Sequence, residues 1–276
     1  MYRAMELSLS IHHAACHIRA MTDQAATPRA ALVTGAARRI GRVIALALAQ
    51  AGYAVAIHAR ASAAEANALA GEIARAGGRA AALRADLADH AQVARLVPAA
   101  VTALGPLTLL VNCAATFEPD AIGTLDADRF DRQFAVNLRA PLFLSEAFAA
   151  QAAANAGASI VNILDQRVFK LTPHFVSYTL AKSALHAATR MLAQALAPNV
   201  RVNAVAPGPT MQSTRQQQDD FAQQAASVPL GHGPQPGEIA AAVLYLAGAR
   251  SITGVTLAVD GGQHVAWQTA DVAVTE

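Results

Sequence analysis

Residues Ala30 to Ala51 read AALVTGAARRIGRVIALALAQA. Ala30 to Thr34 form a short apolar run of strand character, and from Arg42 to Ala51 the apolar residues recur at helical spacing. Between them Gly35 and Gly41 bracket Ala36, Ala37, Arg38, Arg39 and Ile40, a glycine turn that opens the helix. Backbone N–H groups at such a turn, with the positive end of the helix dipole behind them, suit a diphosphate. A glycine pattern alone occurs by chance in many chains; its place between a strand and a helix gives it structural meaning.

Outward from this unit the pattern repeats. Strands are expected at Tyr53 to His58, Arg79 to Arg84, Leu107 to Asn112, Ser159 to Leu164, Val200 to Ala206 and Thr256 to Val259. Helices are expected at Ala63 to Ala76, Ala91 to Leu104, across a long region Asp126 to Ala156, at Phe175 to Ala197 and at Glu238 to Ala247. Alternation of this kind implies an α/β fold: one doubly wound Rossmann-type domain, residues 29–276, with a parallel sheet of about seven strands. Residues 1–28 do not share the pattern and read as a flexible extension. His12, His13, Cys16 and His17 lie there, but no partner cluster with ligand spacing follows, so no metal is expected. From Pro207 to Gly237 the chain is rich in Gln, Pro and Gly, with a helical piece expected at about Gln212 to Ala226. Such a segment beyond the sheet reads as a lid.

Composition bounds the function. With 276 residues, 54% hydrophobic and 14% charged, the chain can bury a full core and is not of disordered type. A net charge of +2 points to neither nucleic acid nor an acidic membrane surface. No apolar run suggests a membrane span. Cys16 and Cys113 lie far apart, which fits a reducing cytosol rather than a disulfide framework.

The chemistry concentrates at LDQRVFKLTPHFVSYTLAK, Leu164 to Lys182. Tyr178 and Lys182, four apart on the expected helix, share a face. A phenol is too weak an acid to act readily at neutral pH, and a neighbouring ammonium lowers its pKa. The pair therefore reads as a tuned acid–base couple for a carbonyl or an imine. Of the 21 basic residues only Lys170 and Lys182 are lysines, so a lysine four places after a tyrosine stands out. A chance pairing on a solvated helix face is the competing explanation.

Several motifs in order now resemble one family, the short-chain dehydrogenases/reductases, over about residues 29–264. They are TGAARRIG (34–41), Asp86-Leu87, NCAA (112–115), Asn137, Tyr178 with Lys182, Pro207-Gly208 and Val259 to Gly262. The resemblance implies a nicotinamide cofactor held by Gly35, Arg38, Arg39, Ile40 and Gly41 at the turn. It further implies cofactor contacts from Asp86, Leu87, Asn112, Ala114, Lys182, Pro207 and Gly208. Asn137 would join a water relay beside Tyr178 and Lys182.

Departures from the family pattern carry the substrate reading. Arg39 replaces a glycine, NNAG reads NCAA followed by Thr116 and Phe117, and Asp165 stands where the family keeps a catalytic serine. An ionised carboxylate only accepts hydrogen bonds. Asp165 would thus repel a developing alkoxide and suit a substrate presenting N–H groups, or, if protonated, relay a proton with Tyr178 to a ring nitrogen. This set is similar to the pteridine reductase branch of the family. That likeness implies Phe117 stacking on a pterin, with Arg39, Ala115 and Pro209 completing the substrate site.

The end of the second expected strand, His58-Ala59-Arg60-Ala61-Ser62, has no acid for a ribose hydroxyl, whereas Arg60 and Ser62 can meet a phosphate. NADPH is therefore expected over NADH. Three functions stay open: a reductase of a pterin-like heterocycle, a ketone or 3-oxoacyl reductase, and a non-catalytic nicotinamide-binding protein. A cytoplasmic homotetramer acting on a small molecule is expected, without nucleic acid or membrane partners.

Overall fold

The computed structural model describes residues 29–152, 157–213 and 215–267. The expected extension, residues 1–28, lies outside them. Seven strands form one sheet: β1 (Ala30–Val33), β2 (Ala54–Ala59), β3 (Ala80–Arg84), β4 (Leu109–Asn112), β5 (Ala158–Ile163), β6 (Val200–Pro207) and β7 (Thr256–Val259). Their order is β3-β2-β1-β4-β5-β6-β7, and every neighbouring pair is parallel. The order reverses between β1 and β4, which places a topological switch point at the carboxyl ends of those strands.

The helices are α1 (Arg39–Gln50), α2 (Ala63–Arg75), α3 (His90–Leu104), α4 (Ala127–Phe134), α5 (Ala140–Ala152), α6 (Val176–Leu196), α7 (Gln218–Ala226) and α8 (Pro236–Gly248). Alternation along the strands divides the core into two layers. Ala31, Val33, Val55, Ile57, Leu109 and Val111 pack against α1, α2 and α8 through Ile44, Leu48, Leu69 and Val243. Ala30, Leu32, Ala54, Ala56 and Leu110 face α3, α5 and α6, whose Leu96, Leu144, Phe148 and Ala193 close the other side. Strands buried on both faces explain why their sequences are apolar throughout rather than alternating.

Two expected helices differ in the structure. The region from Asp126 is interrupted by a π-helical turn, Ala135–Arg139, between α4 and α5. Pro141 lacks the N–H that would reach the Asn137 carbonyl in an α-helix, so the regular ladder breaks there. Between Pro207 and Gly237 the helix starts at Gln218 rather than Gln212, with Asp219 and Asp220 in its first turn, where they complement the dipole. The residues before it are held by tertiary bonds instead, described below.

Candidate active site

A cleft of about 1130 Å³ opens at the carboxyl edge of the sheet, over the switch point. Its floor begins with the glycine turn. Gly35 adopts φ +66, and a Cβ there would come within 2.8 Å of Ala114 Cα. Gly41 has no room for a Cβ either, which would run into Gly35 O. The N-terminus of α1 has no side-chain cap and no acid in its first turn, so its N–H groups stay available for an anion. Thr34 Oγ1 accepts from the N–H groups of Cys113 and Ala114, at 2.9 and 3.0 Å, tying β1 to the segment after β4. These features fit a diphosphate laid across the turn.

Arg38, Arg39, Ile40, Arg60, Ser62, Asp86, Leu87, Ala114, Ala115, Pro207, Gly208 and Pro209 all line the cleft. Arg84, which the sequence reading passed over, adjoins Arg60: its Nε donates to the Arg60 carbonyl at 3.2 Å. Register explains the meeting, since Ala59 pairs with Arg84 across β2 and β3. Asp86 pairs with Arg132 from α4 at 3.2 Å. Neither Arg84 nor Arg132 carries a motif; only the folded sheet brings them to this edge.

Two expected contacts lie elsewhere. Asn112 is not a cleft residue: its side chain is buried between strands and donates to Asn162 Oδ1 at 2.9 Å. Asn137 is fully buried, and its amide clamps Thr116 from both sides. Its Oδ1 accepts from Thr116 N at 3.0 Å, and its Nδ2 donates to Thr116 O at 2.9 Å. The side chain thus positions the loop that presents Phe117. Arg39, which lines the cleft, also makes contacts the sequence did not suggest. With φ +55, in a region glycine usually fills, its guanidinium donates to the carbonyls of Gln212 and Met211 at 2.8 and 3.0 Å. It fastens the segment after β6 to the glycine turn.

At the other end of the cleft, β5 delivers Asp165 and α6 delivers Tyr178 and Lys182. Tyr178 donates its hydroxyl hydrogen to Asp165 Oδ2 at 3.2 Å. Arg167 pairs with Asp165 at 3.4 Å, and its backbone N–H donates to Asp165 Oδ1 at 2.9 Å. Lys182 donates to the Ile163 carbonyl at 2.7 Å, with its Nζ 5.8 Å from the Tyr178 ring centroid. Burial, and then the Asp165 carboxylate, push the phenol well above its ordinary pKa. Burial brings Lys182 down to about 8. The expected acidified phenol is therefore corrected: enclosed among apolar groups and beside an anion, Tyr178 holds its proton.

Phe117 lies edge-on to Tyr178, centroids 4.7 Å apart, and stacks on Phe175 at 4.2 Å with planes 8° apart. Arg167 stands 5.4 Å from the Phe117 centroid, and Arg215 of the lid donates to the Phe117 carbonyl. Phe175 precedes α6 with φ +58. The first turn of α6 is secured by Asp120, which accepts from the N–H and hydroxyl of buried Ser177. That bond removes Ser177 from the list of possible hydroxyl donors in the cleft. Phe175, Asp120, Arg167 and Arg215 were not legible as site residues, because each acts through a neighbour distant in sequence or through the backbone.

A family model described as enoyl-(acyl carrier protein) reductase matches residues 35–264. The chain belongs to the short-chain dehydrogenase/reductase family. It is an oxidoreductase fold in sequence as well as in shape. Among solved structures it is similar to FolM alternative dihydrofolate reductase 1 from Brucella canis, complexed with NADP. The identity is 48%, the TM-score 0.86, and the match covers 88% of this chain and 97% of that one. An oxidoreductase from Methylorubrum extorquens is 37% identical over 85% of this chain and 97% of its own length. A 3-oxoacyl-[acyl-carrier-protein] reductase from Staphylococcus aureus is 31% identical over 86% of this chain and 98% of its own. No helix among the described residues is long and apolar enough to cross a membrane.

Proposed function

We propose that this short-chain oxidoreductase uses NADPH to reduce a flat, nitrogen-rich heterocycle of the dihydropteridine type. One observation carries the reading: a carboxylate, Asp165, accepts the Tyr178 hydroxyl at 3.2 Å where relatives with ketone substrates need a second hydroxyl donor. The likeness to the Brucella canis protein supports it.

When bound, the nicotinamide supplies a hydride. The chain's own residues do the rest. The uncapped turn at Gly35 to Gly41 receives the diphosphate, while Arg60, Ser62 and Arg84 offer donors for a 2′-phosphate. Lys182, placed beside Ile163, would hold the nicotinamide ribose. Asp165, able only to accept, selects a substrate edge that presents N–H groups and rejects an alkoxide. Arg167 keeps that carboxylate oriented. Tyr178, protonated, would give its proton to the ring nitrogen of a substrate C=N bond. Phe117 offers a ring face next to the phenol; Phe175 covers its other face, so the substrate stacks on the open side or displaces Phe175. The lid, fastened by Arg39 and Arg215, excludes water. A homotetramer in a reducing cytosol is part of the proposal, supported by free Cys113 and by exposed Leu180, Met191 and Leu257.

The test is NADPH consumption with dihydrobiopterin, dihydromonapterin or dihydrofolate, set beside ketones and 3-oxoacyl thioesters. Turnover of pterins is expected. Turnover of ketones or thioesters alone, insensitive to an antifolate, would replace this reading with the 3-oxoacyl reductase one.

A further inference from the structure

His58 is the one ionisable residue inside β2, and its ring is 2% exposed. Its two nitrogens have different partners. Nε2 lies 3.0 Å from the Ala85 carbonyl, which only accepts, so Nε2 carries the hydrogen. Nδ1 then accepts from the Gly35 N–H at 3.1 Å. The next N–H of the turn, Ala36, donates to the His58 carbonyl at 2.9 Å. One residue therefore holds two consecutive peptides of the turn, one through its side chain and one through its backbone. The turn has little slack to lose this support, since Gly35 sits at φ +66 against Ala114.

We propose that His58 is a positioning residue for the cofactor, its neutral imidazole bracing the Gly35 peptide so that the turn keeps the shape that receives the diphosphate. A protonated ring would place a donor at Nδ1 against the Gly35 N–H, and the brace would become a repulsion. Asp86, from the loop after β3, and the Ala85 carbonyl favour the imidazolium. Burial outweighs the Asp86 charge and the Ala85 bond and lowers the histidine's pKa, which keeps the ring neutral at physiological pH. This role rests on the nicotinamide cofactor alone and stands whether the substrate is a pterin or a ketone.

The full-length chain tests it through the NADPH dissociation constant, measured by fluorescence from about pH 8 down to about pH 5.5. Wild type is compared with His58→Asn, whose amide oxygen can replace Nδ1 and does not titrate, and with His58→Leu. Near pH 8 the Asn variant should bind within about threefold of wild type and the Leu variant about tenfold or more weakly. As pH falls, the wild-type constant should rise relative to the Asn variant by up to about tenfold per unit once the ring protonates. Titration of the 2′-phosphate is common to both and cancels in the ratio. A folded Leu variant that binds like wild type near pH 8, or an Asn variant that binds as weakly as the Leu variant, would overturn the proposal. Nitrogen-15 NMR of the unsubstituted protein gives a second readout: a neutral Nε2–H tautomer is expected, and an Nδ1–H tautomer would refute it without any variant.

Discussion

Replacing Asp165 by Asn changes charge with almost no change in volume, and the site geometry sets the size of the effect. The carboxylate takes the Tyr178 hydroxyl at 3.2 Å and an Arg167 nitrogen at 3.4 Å, and both Asp165 and Arg167 side chains are 18% exposed. A hydrogen bond to a charged group contributes about 1.5–3 kcal/mol, so losing one to a pterin N–H should cut kcat/KM by about tenfold to about 150-fold. Arg167 left without its partner should cost about 1–3 kcal/mol of stability, seen as a lower Tm. The pH profile carries a separate sign. Tyr178 must hold its proton to donate it, so activity falls as pH rises through its pKa. Burial raises that pKa first and the Asp165 charge second, and Asp165→Asn removes the second. The alkaline limb should therefore move to lower pH. Steady-state NADPH oxidation with dihydrobiopterin, beside a ketone and a thermal melt, reads all three. Pterin turnover within about threefold of wild type, with the alkaline limb in place, would refute the reasoning. Asp165→Ser should trade pterin turnover for ketone reduction.

Tyr178→Phe should lower kcat by about 10²–10⁴-fold with little change in NADPH affinity, because it removes a proton donor and no cofactor contact. Asp120→Ala should cost about 2 kcal/mol or more, since it leaves the Ser177 N–H and hydroxyl buried without their acceptor; chemical denaturation would measure it. Arg60→Ala and Arg84→Ala should each raise KM for NADPH by about tenfold and leave KM for NADH alone; equal losses for both cofactors would remove the phosphate role. Arg39→Gly should relieve about 1 kcal/mol of left-handed backbone strain while freeing Met211 and Gln212, so the melt holds or rises and limited proteolysis of the lid speeds up.

The parts legible in the sequence are those that depend on near neighbours. The Ala30–Ala51 unit, the apolar strands and the Tyr178–Lys182 spacing follow from periodicity, from glycine's freedom and from the pitch of a helix. The π-helical turn at Ala135–Arg139 was also within reach, because Pro141 announces a missing donor. The burial of the Asn112 and Asn137 side chains was not legible, because a buried amide and a cleft amide look alike in a sequence. Their partners, Asn162 and Thr116, sit 50 and 21 residues away. The phenol's pKa went astray for a similar reason: a cation four residues off was visible, whereas enclosure on all sides was not.

By itself, then, the chain determined a doubly wound parallel sheet with a glycine turn opening its first helix, a Tyr–Lys helix face and a carboxylate in a hydroxyl's place. Each of these is written in short stretches whose local energetics choose the conformation. Only the tertiary structure decided what faces what. It set Phe117 against Phe175 and Tyr178, Arg84 beside Arg60, Arg39 on the lid and His58 under Gly35. Such contacts come from strand order and loop closure, and desolvation depends on every neighbour at once, so no single stretch of sequence contains them.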